Sequence, residues 1–209
     1  MNSNYGIRHH AVLYGLLVKF IFKYAGDNAK EIIEKLTRSY GLKRGQRMRK
    51  LAIENNEDLN INTFFVHGEW IGEEGENSSI LSFDSQNTIS TVSKCAWYDY
   101  WKEYDLLQYG PYYCRYIDKA LCEGFNGDFS LDLDKAIGLG DESCEFRWNE
   151  KYDKDYLACH PKNWILSFDF HCKELLETAS EILDEDIRDK VLKDVDEEFE
   201  KIFNKQVPK

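Results

Sequence analysis

The segment FSLDLDKAIGLGDESCEFRW, residues 129–148, decides the fold class of this chain. Apolar and polar residues alternate over 129–133 and again over 144–148, which is typical of strands with one buried face. The glycine-containing stretch 138–141 lies between them and predicts a hairpin connection. Because successive side chains of a strand point to opposite faces, one face of the second strand is expected to carry Cys144, Phe146 and Trp148. The middle of the chain therefore contains an antiparallel sheet.

Helical patterns lie on both sides of this sheet-forming region. In the first third, apolar spacing predicts one helix over residues 8–24, a second that ends at Gly41, and a third over 42–55. From about residue 170 the chain reads as an acidic amphipathic helix. The pattern thus predicts an α+β fold with N-terminal helices, a small antiparallel sheet and C-terminal helices that cover the sheet.

The segments between these regions add detail to the sheet. Short β-prone stretches at 63–66, 80–83 and 88–92 predict further strands, and two helices are predicted over 95–107 and 111–123. A length of 209 residues is typical of one domain. We expect a single domain over 1–209, with a helical part (6–56), a sheet-containing part (60–150) and a helical tail (170–205).

Composition excludes several classes of protein. A net charge of -11 argues against nonspecific nucleic-acid binding, which depends on Lys and Arg at the phosphates. The chain has no apolar run near the roughly 20 residues that span a bilayer, and residues 1–8 lack the layout of a signal peptide. We therefore expect a cytoplasmic protein without a membrane partner.

None of the six cysteines forms a Cys-x-x-Cys pair, so free thiols are expected at Cys95, Cys114, Cys122, Cys144, Cys159 and Cys172.

Two cysteines are candidates for chemistry. Cys114 and Asp118 stand four residues apart on a predicted helix, so a thiol and a carboxyl group share one helical face. Such a pair can supply a nucleophile and a proton-handling group, although a helical Cys is more often a small buried residue. Cys144 follows a turn that contains Asp141 and is either a second candidate nucleophile or a core residue of the hairpin.

Cations and imidazoles give two further candidates. Arg44 and Arg47 lie three residues apart in a cationic segment and can converge on a carboxylate, or form a solvated helix face. His10 lies beside the apolar side of the first helix. It is either a general acid or base, or a core histidine with its hydrogen bonds satisfied.

Several of these segments, in this order, resemble the L-2-amino-thiazoline-4-carboxylic acid hydrolase family. The resemblance covers about residues 8–148, with a looser match at 167–172. It is carried by His10 and by the pieces YGLKRGQRM (40–48), GEW (68–70), CAW (95–97), YCRYID (113–118), EGFN (123–126) and GDESCEF (140–146). Lys43 stands where an acidic or small residue is expected before Arg-Gly, and this departure concerns the substrate more than the fold.

The resemblance implies cofactor-independent hydrolysis of a C–N or C–S bond in a small cyclic amidine- or thiazoline-type acid, as in the conversion of L-2-amino-thiazoline-4-carboxylate to N-carbamoyl-L-cysteine. Cys114, Asp118, His10 and Cys144 are then the candidates for catalysis. The candidates for substrate binding are Arg44, Arg47, Trp70 and Trp97. We expect a small-molecule substrate, no metal or cofactor, and a chain that is able to form a homo-oligomer. A noncatalytic ligand-binding or sensor module and a zinc-binding protein are the alternatives.

Overall fold

The sheet predicted from residues 129–148 is present in the computed structural model, which describes residues 5–71, 74–83, 87–160 and 164–208. The helices and strands follow one another in an α+β order. In chain order they are α1 Ile7–Ala25, α2 Ala29–Glu54, α3 Ile61–Val66, β1 Ser78–Phe83, β2 Thr88–Lys94, α4 Ala96–Glu103, α5 Tyr112–Phe125, β3 Leu131–Lys135, β4 Cys144–Trp148, α6 Lys154–Cys159, α7 Phe168–Ile182 and α8 Glu185–Phe203.

The chain divides into two compact units. The first unit comprises Met1–Tyr40, Ala96–Tyr116 and Ser167–Lys209, and the second comprises Gly41–Cys95 and Ile117–Leu166. Helices α2 and α5 each contribute residues to both units, because the divisions at residues 40 and 116 fall inside them. The interpretation of residues 1–209 as one domain stays a prediction.

Helix α1 is the centre of the first unit. It is apolar on nearly every side, and α4, α7 and α8 pack against it. A helix with this composition is stable only where its whole surface is covered. The indole of Trp101, which is fully buried, donates a hydrogen bond to the backbone oxygen of Ala11 at 2.8 Å. Gly15 lets Leu106 approach closely, since a Cβ at this position would lie 3.0 Å from its Cδ1.

The second unit contains the sheet, in which all neighbouring strands are antiparallel in the order β1-β2-β4-β3. Strands β3 and β4 form the predicted hairpin, and Cys144 and Trp148 point to its buried face. An aromatic-rich core joins the sheet to the helices of this unit: Met48, Ala52, Ile61, Phe64, Cys122, Phe125, Phe129, Leu131, Trp148 and Tyr152. The predicted strands at 80–83 and 88–92 are confirmed as parts of β1 and β2.

One predicted strand is wrong. Residues 63–66 belong to helix α3, which begins after Asn60. The side chain of Asn60 accepts hydrogen bonds from the backbone N–H groups of Asn62 and Thr63, so it caps the first turn. This local cap and the burial of Ile61 and Phe64 on one side outweigh the β-propensity of the sequence TFFV.

The prediction that one helix ends at Gly41 is also wrong, because α2 continues to Glu54. Gly41 does not terminate the helix; it removes a side chain where α5 approaches. A Cβ there would lie 2.8 Å from the Cβ of Ala120. Gly45 and Gly124 extend the same close contact.

The acidic tail also differs from the prediction of one helix, since it forms two helices, α7 and α8, separated near Leu183.

The contact at Gly45 gives a stability prediction. A Cβ at this position would lie 2.1 Å from the backbone oxygen of Leu121 and 2.7 Å from the backbone nitrogen of Phe125. Because backbone atoms inside a helix cannot move aside, Gly45→Ala is expected to lower the free energy of unfolding by about 3 kcal/mol. Urea denaturation measures this. The control is Gly127→Ala, where a Cβ meets nothing within 4 Å. Equal stability of both variants would contradict the close packing.

Candidate functional site

Two arginines and a glutamate form a buried ionic cluster in the second unit. Arg44 Nε donates to Glu69 Oε2 at 3.0 Å, and Arg47 donates through Nε to Oε1 at 2.5 Å and through Nη2 to Oε2 at 3.1 Å. Arg44 and Glu69 are only 5% and 3% exposed. The cluster is therefore part of the interior and not a solvated helix face.

Local structure explains how these three side chains meet. Arg44 and Arg47 lie three residues apart on α2, which places both on one side of the helix. Glu69 follows α3, whose end is marked by His67, and its backbone oxygen accepts a hydrogen bond from Leu166 N–H at 2.8 Å. The glutamate is thus fixed through its backbone as well as its carboxylate.

Asp118 on α5 is the second carboxyl group that interacts with Arg44. Burial raises the pKa of Asp118 to about 6, and the nearby Arg44 guanidinium acts in the opposite direction by favouring the ionised form. A carboxyl group with this pKa exchanges its proton near neutral pH, which is the property that general acid–base catalysis requires. This makes Asp118 suited to proton transfer.

Cys144, the first residue of β4, is a buried hairpin thiol. Its Sγ accepts a hydrogen bond from Ile137 N–H at 3.4 Å, and the Asp141 carboxylate accepts one from Ala136 N–H at 2.8 Å. Both groups therefore bind the backbone of their own turn. Burial raises the pKa of Cys144 to about 11, with the Ile137 hydrogen bond acting in the opposite direction. At neutral pH this thiol is protonated and a poor nucleophile.

His10 lies in the first unit, where its ring is buried and hydrogen-bonded on both sides. Trp97 Nε1 lies 3.1 Å from His10 Nδ1, and His10 Nε2 lies 3.1 Å from the Tyr40 hydroxyl oxygen. An indole N–H only donates, so His10 Nδ1 accepts and the ring proton is on Nε2. His10 is therefore a neutral imidazole that donates to Tyr40. The sequence placed His10 beside the apolar side of the first helix but did not reveal these two partners.

Aromatic rings surround this imidazole within the first unit. The ring of Trp97 is stacked against that of Tyr113, with centroids 6.4 Å apart, and the rings of Tyr113 and Phe168 both contact His10 edge-on. The hydroxyl oxygen of Tyr40 also lies 3.4 Å from the ring Nδ1 of His171 and 3.4 Å from the backbone oxygen of the same residue. The predicted ligand-binding residue Trp97 is thus part of a buried aromatic cluster.

The remaining candidates are less buried. Cys114 on α5 is partly exposed and forms no disulfide; it belongs to the first unit and lies four residues before Asp118, which belongs to the second. Trp70, directly after Glu69, is partly exposed as well. The joint action of Cys114 and Asp118 on one substrate stays a prediction. In the parts of the chain that the structure describes, no group of three or more His, Cys, Asp or Glu side chains is arranged to hold a metal ion.

Glu69 is the residue of this site that the sequence did not reveal. It stands 25 residues after Arg44 and 22 after Arg47, so no local spacing rule connects it to them. The family-like piece GEW (68–70) contains Glu69, but the resemblance implies substrate binding by Trp70 and not by Glu69. Tyr40 lies 30 residues after its partner His10, so no local spacing rule connects these two residues either.

Comparison with known proteins gives one match. The family model of L-2-amino-thiazoline-4-carboxylic acid hydrolase matches residues 5–148. This is more than half of the chain, so the chain belongs to this family, whose name denotes a hydrolase of a thiazoline. No curated protein and no solved structure matches the chain.

Of the helices that the structure describes, none combines the length and the apolar character needed to cross a membrane.

The raised pKa of Asp118 gives a prediction of pH-dependent stability. Its folded-state pKa of about 6 lies above the ordinary value near 4, so folding disfavours the ionised form. The resulting loss of stability is absent below about pH 4, grows between pH 4 and 6, and is complete above pH 6. Asp118→Asn is therefore expected to stabilise the protein at pH 7 by about 2 kcal/mol, but not at pH 4.

Chemical denaturation at the two pH values measures this difference. The matched control is Asp132→Asn, an exposed position on β3, where a change within about 0.5 kcal/mol is expected at both pH values. If Asp118→Asn destabilises the protein equally at pH 4 and pH 7, the carboxyl group does not carry the inferred burial cost.

Proposed function

We propose that this protein hydrolyses a small cyclic amidine- or thiazoline-type carboxylic acid, with L-2-amino-thiazoline-4-carboxylate as the substrate of reference. The single observation that carries the proposal is the arrangement in the second unit. There, a carboxyl group that titrates near neutral pH interacts with one of two arginines held side by side by Glu69. Membership of the hydrolase family supports the same reaction class.

The reaction itself defines what a site must supply. Water adds to C2 of the thiazoline, the C2–S bond breaks, and the ring sulfur leaves as a thiol that receives one proton. The product is N-carbamoyl-L-cysteine, which equals the substrate plus one water. Protonation of the ring nitrogen makes C2 more electrophilic, so the site needs a proton donor, a nucleophile or base, and a cation for the 4-carboxylate.

In the water route, Asp118 handles the protons. Its ionised form removes a proton from the attacking water, and the resulting acid then donates that proton to the departing sulfur. A pKa of about 6 suits both steps, because each protonation state is well populated near neutral pH. Arg44 and Arg47 bind the substrate carboxylate, for which the planar guanidinium is the favoured partner.

In the thiol route, Cys114 attacks C2 and expels the ring sulfur, which gives an isothiourea bonded to the enzyme. Water then cleaves the bond between Cys114 and C2, which releases the product and regenerates the thiol. Cys144 is the reserve nucleophile, and its raised pKa makes it the weaker of the two. We favour Cys114 because C2 of an isothiourea is a soft electrophile.

The other residues have supporting roles in this proposal. His10 is a neutral imidazole that accepts a hydrogen bond from Trp97 and donates one to Tyr40, and the neutral ring is the form of histidine that can take up a proton. Trp70 in the second unit is proposed to offer flat apolar surface to the ring of the substrate, and Trp97 in the first unit is the other candidate for this role. The reaction requires no metal or cofactor. We place it in sulfur-amino-acid or secondary metabolism in the cytoplasm, and a homo-oligomer is compatible with it.

The two routes predict different behaviour of two variants. If the thiol route operates, Cys114→Ser loses at least about 100-fold of turnover, because a hydroxyl is not ionised at neutral pH. A covalent adduct on Cys114 is then detectable by mass spectrometry. If the water route operates, Cys114→Ser retains much of the rate and Asp118→Asn loses it. Mass-spectrometric detection of N-carbamoyl-L-cysteine measures turnover.

Two conservative variants serve as controls in this experiment. Cys159→Ser changes an exposed thiol and Asp132→Asn an exposed carboxylate, so both are expected to keep full activity. Substantial activity in both Cys114→Ser and Asp118→Asn would refute the site assignment. Binding of the substrate without any product from the unmodified protein would support the noncatalytic binding module. Stoichiometric zinc in the purified protein would support the zinc-binding alternative.

The arginine pair predicts a difference between two ligands. Loss of one charge-assisted hydrogen bond costs about 2 kcal/mol, which is roughly thirtyfold in affinity. Arg47→Ala is therefore expected to weaken binding of L-2-amino-thiazoline-4-carboxylate about thirtyfold, and binding of 2-amino-thiazoline, which lacks the carboxylate, much less. Isothermal titration calorimetry compares the two. Equal losses for both ligands would show that Arg47 does not bind the carboxylate.

A further inference from the structure

Glu57 and His67 form a hydrogen-bonded pair in the second unit to which the reaction described above assigns no role. His67 Nε2 lies within hydrogen-bonding distance of Glu57 Oε2. The imidazole side chain is only 2% exposed and the carboxylate 19%, so the ring is the more deeply buried member of the pair. A hydrogen bond to a carboxylate is stronger than one between neutral groups, and it holds the ring in one orientation.

Two helix ends hold this pair in place. Asn56 has a left-handed backbone with a φ of 57°, and the N–H group of Glu57 donates to the backbone oxygen of Ala52 at 2.9 Å. This arrangement ends α2 and fixes the backbone of Glu57. His67 follows the last turn of α3, where its N–H group donates to the backbone oxygen of Thr63 at 2.9 Å. Both side chains therefore start from backbone that is itself hydrogen-bonded.

The contact with Glu57 determines which ring nitrogen of His67 carries the proton. An ionised carboxylate only accepts hydrogen bonds, so the neutral imidazole has its proton on Nε2 and a lone pair on Nδ1. Nδ1 is closed to solvent and has no hydrogen-bond partner among the residues that the structure describes. Because a buried acceptor in this state is unfavourable for folding, its retention points to a donor that arrives with a ligand.

His67 is also close to the arginine cluster along the chain. Gly68 alone separates it from Glu69, whose carboxylate accepts hydrogen bonds from both arginines. Two residues of chain span at most about 7 Å, which limits the distance between the Cα atoms of His67 and Glu69. A hydrogen-bond acceptor and the candidate binding site for a carboxylate therefore belong to the same region of the second unit.

We propose that His67 is a specificity-determining residue that recognises the amidine part of the substrate, with Nδ1 accepting a hydrogen bond from the exocyclic amino group. Glu57 holds the ring in the orientation and tautomer that this role requires. The inference rests on the proposed function, in which a cyclic amidine-type acid is the substrate. It adds a contact for the amino end of a molecule whose carboxylate end binds the arginines.

The chemistry of the substrate suits this acceptor. The 2-amino group donates N–H bonds, and protonation of the ring nitrogen spreads positive charge onto it. Its hydrogen bond to Nδ1 therefore strengthens in the form that is activated for attack at C2. Because Nδ1 is closed to solvent, a neighbouring side chain has to move before the amino group reaches it, and such rotamer changes are common on binding. Exclusion of water then strengthens the hydrogen bond.

The first test follows the ring nitrogens of His67 by nitrogen-15 NMR, at a pH at which their frequencies identify a neutral ring. The probe is 2-aminothiazole-4-carboxylate, whose aromatic ring resists opening. The control ligand is 2-methylthiazole-4-carboxylate, which has no N–H donor. The Nδ1 signal is expected to move upfield with the probe, as it does when a ring nitrogen accepts a hydrogen bond, and not with the control. His160, an exposed imidazole on α6, is the internal reference with no change expected.

The second test measures binding of the same two ligands by calorimetric titration. His67→Leu removes the acceptor and is expected to weaken binding of the probe about tenfold, without weakening that of the control ligand. His67→Asn returns an acceptor close to the position of Nδ1 and is expected to recover part of the affinity. His160→Leu is the matched control, with unchanged affinity for both ligands. Equal losses for both ligands in His67→Leu would show a purely structural role and overturn the inference.

The NMR measurement uses the unmodified protein, so it decides the inference even if the His67 variants do not fold. An Nδ1 signal that stays unchanged at saturation with the probe would overturn the inference, and failure of the probe to bind would overturn it together with the proposed substrate class. A shifted Nδ1 signal in a protein without hydrolase activity would support the role of His67 and refute the proposed function alone. Conversely, unchanged turnover and affinity in a folded His67→Leu protein would refute the inference and leave the proposed function intact.

Discussion

The close approach of α2 and α5 within the second unit positions the candidate site. At Gly45 and Gly124 the backbones come so near that a Cβ would lie 2.1 Å and 2.5 Å from backbone oxygens of the other helix. Only glycine permits this separation. Arg44 is next to Gly45 on α2, and Asp118 lies on α5, so the helix contact determines how strongly the guanidinium acts on the carboxyl group.

Stability and the candidate chemistry have different sources in this unit. The core gains its stability from aromatic and aliphatic burial around Phe64, Phe125 and Trp148. The buried ion pairs of Glu69 add little net stability, because the cost of removing charges from water offsets their attraction. The raised pKa of Asp118 is itself a cost at neutral pH. The stability of the fold therefore does not account for the cluster.

Sequence patterns predicted the helices and strands whose apolar residues recur with a regular spacing. They failed where a contact between residues distant in the chain determines the structure. The apolar spacing of α1 and the alternation of β3 and β4 were sufficient, since both directly reflect burial. Gly41 was misread because a glycine that ends a helix and one that admits a neighbouring helix look identical in one sequence. The spacing of Arg44 and Arg47 predicted a pair, but their common partner Glu69 is distant in the chain and required the fold.

Burial raises the pKa of both kinds of candidate acid in this unit, but the consequences at neutral pH differ. It disfavours the charged form of both, so the pKa of the Cys144 thiol and that of the Asp118 carboxyl group both rise. An ordinary thiol is already mostly neutral at pH 7, and a pKa of about 11 lowers the fraction of reactive thiolate of Cys144 still further. For the carboxyl group, a pKa of about 6 brings proton exchange close to neutral pH. The same effect of burial therefore keeps Cys144 a protonated thiol at neutral pH and brings the proton exchange of Asp118 close to neutral pH, whereas Cys114 is the less buried thiol.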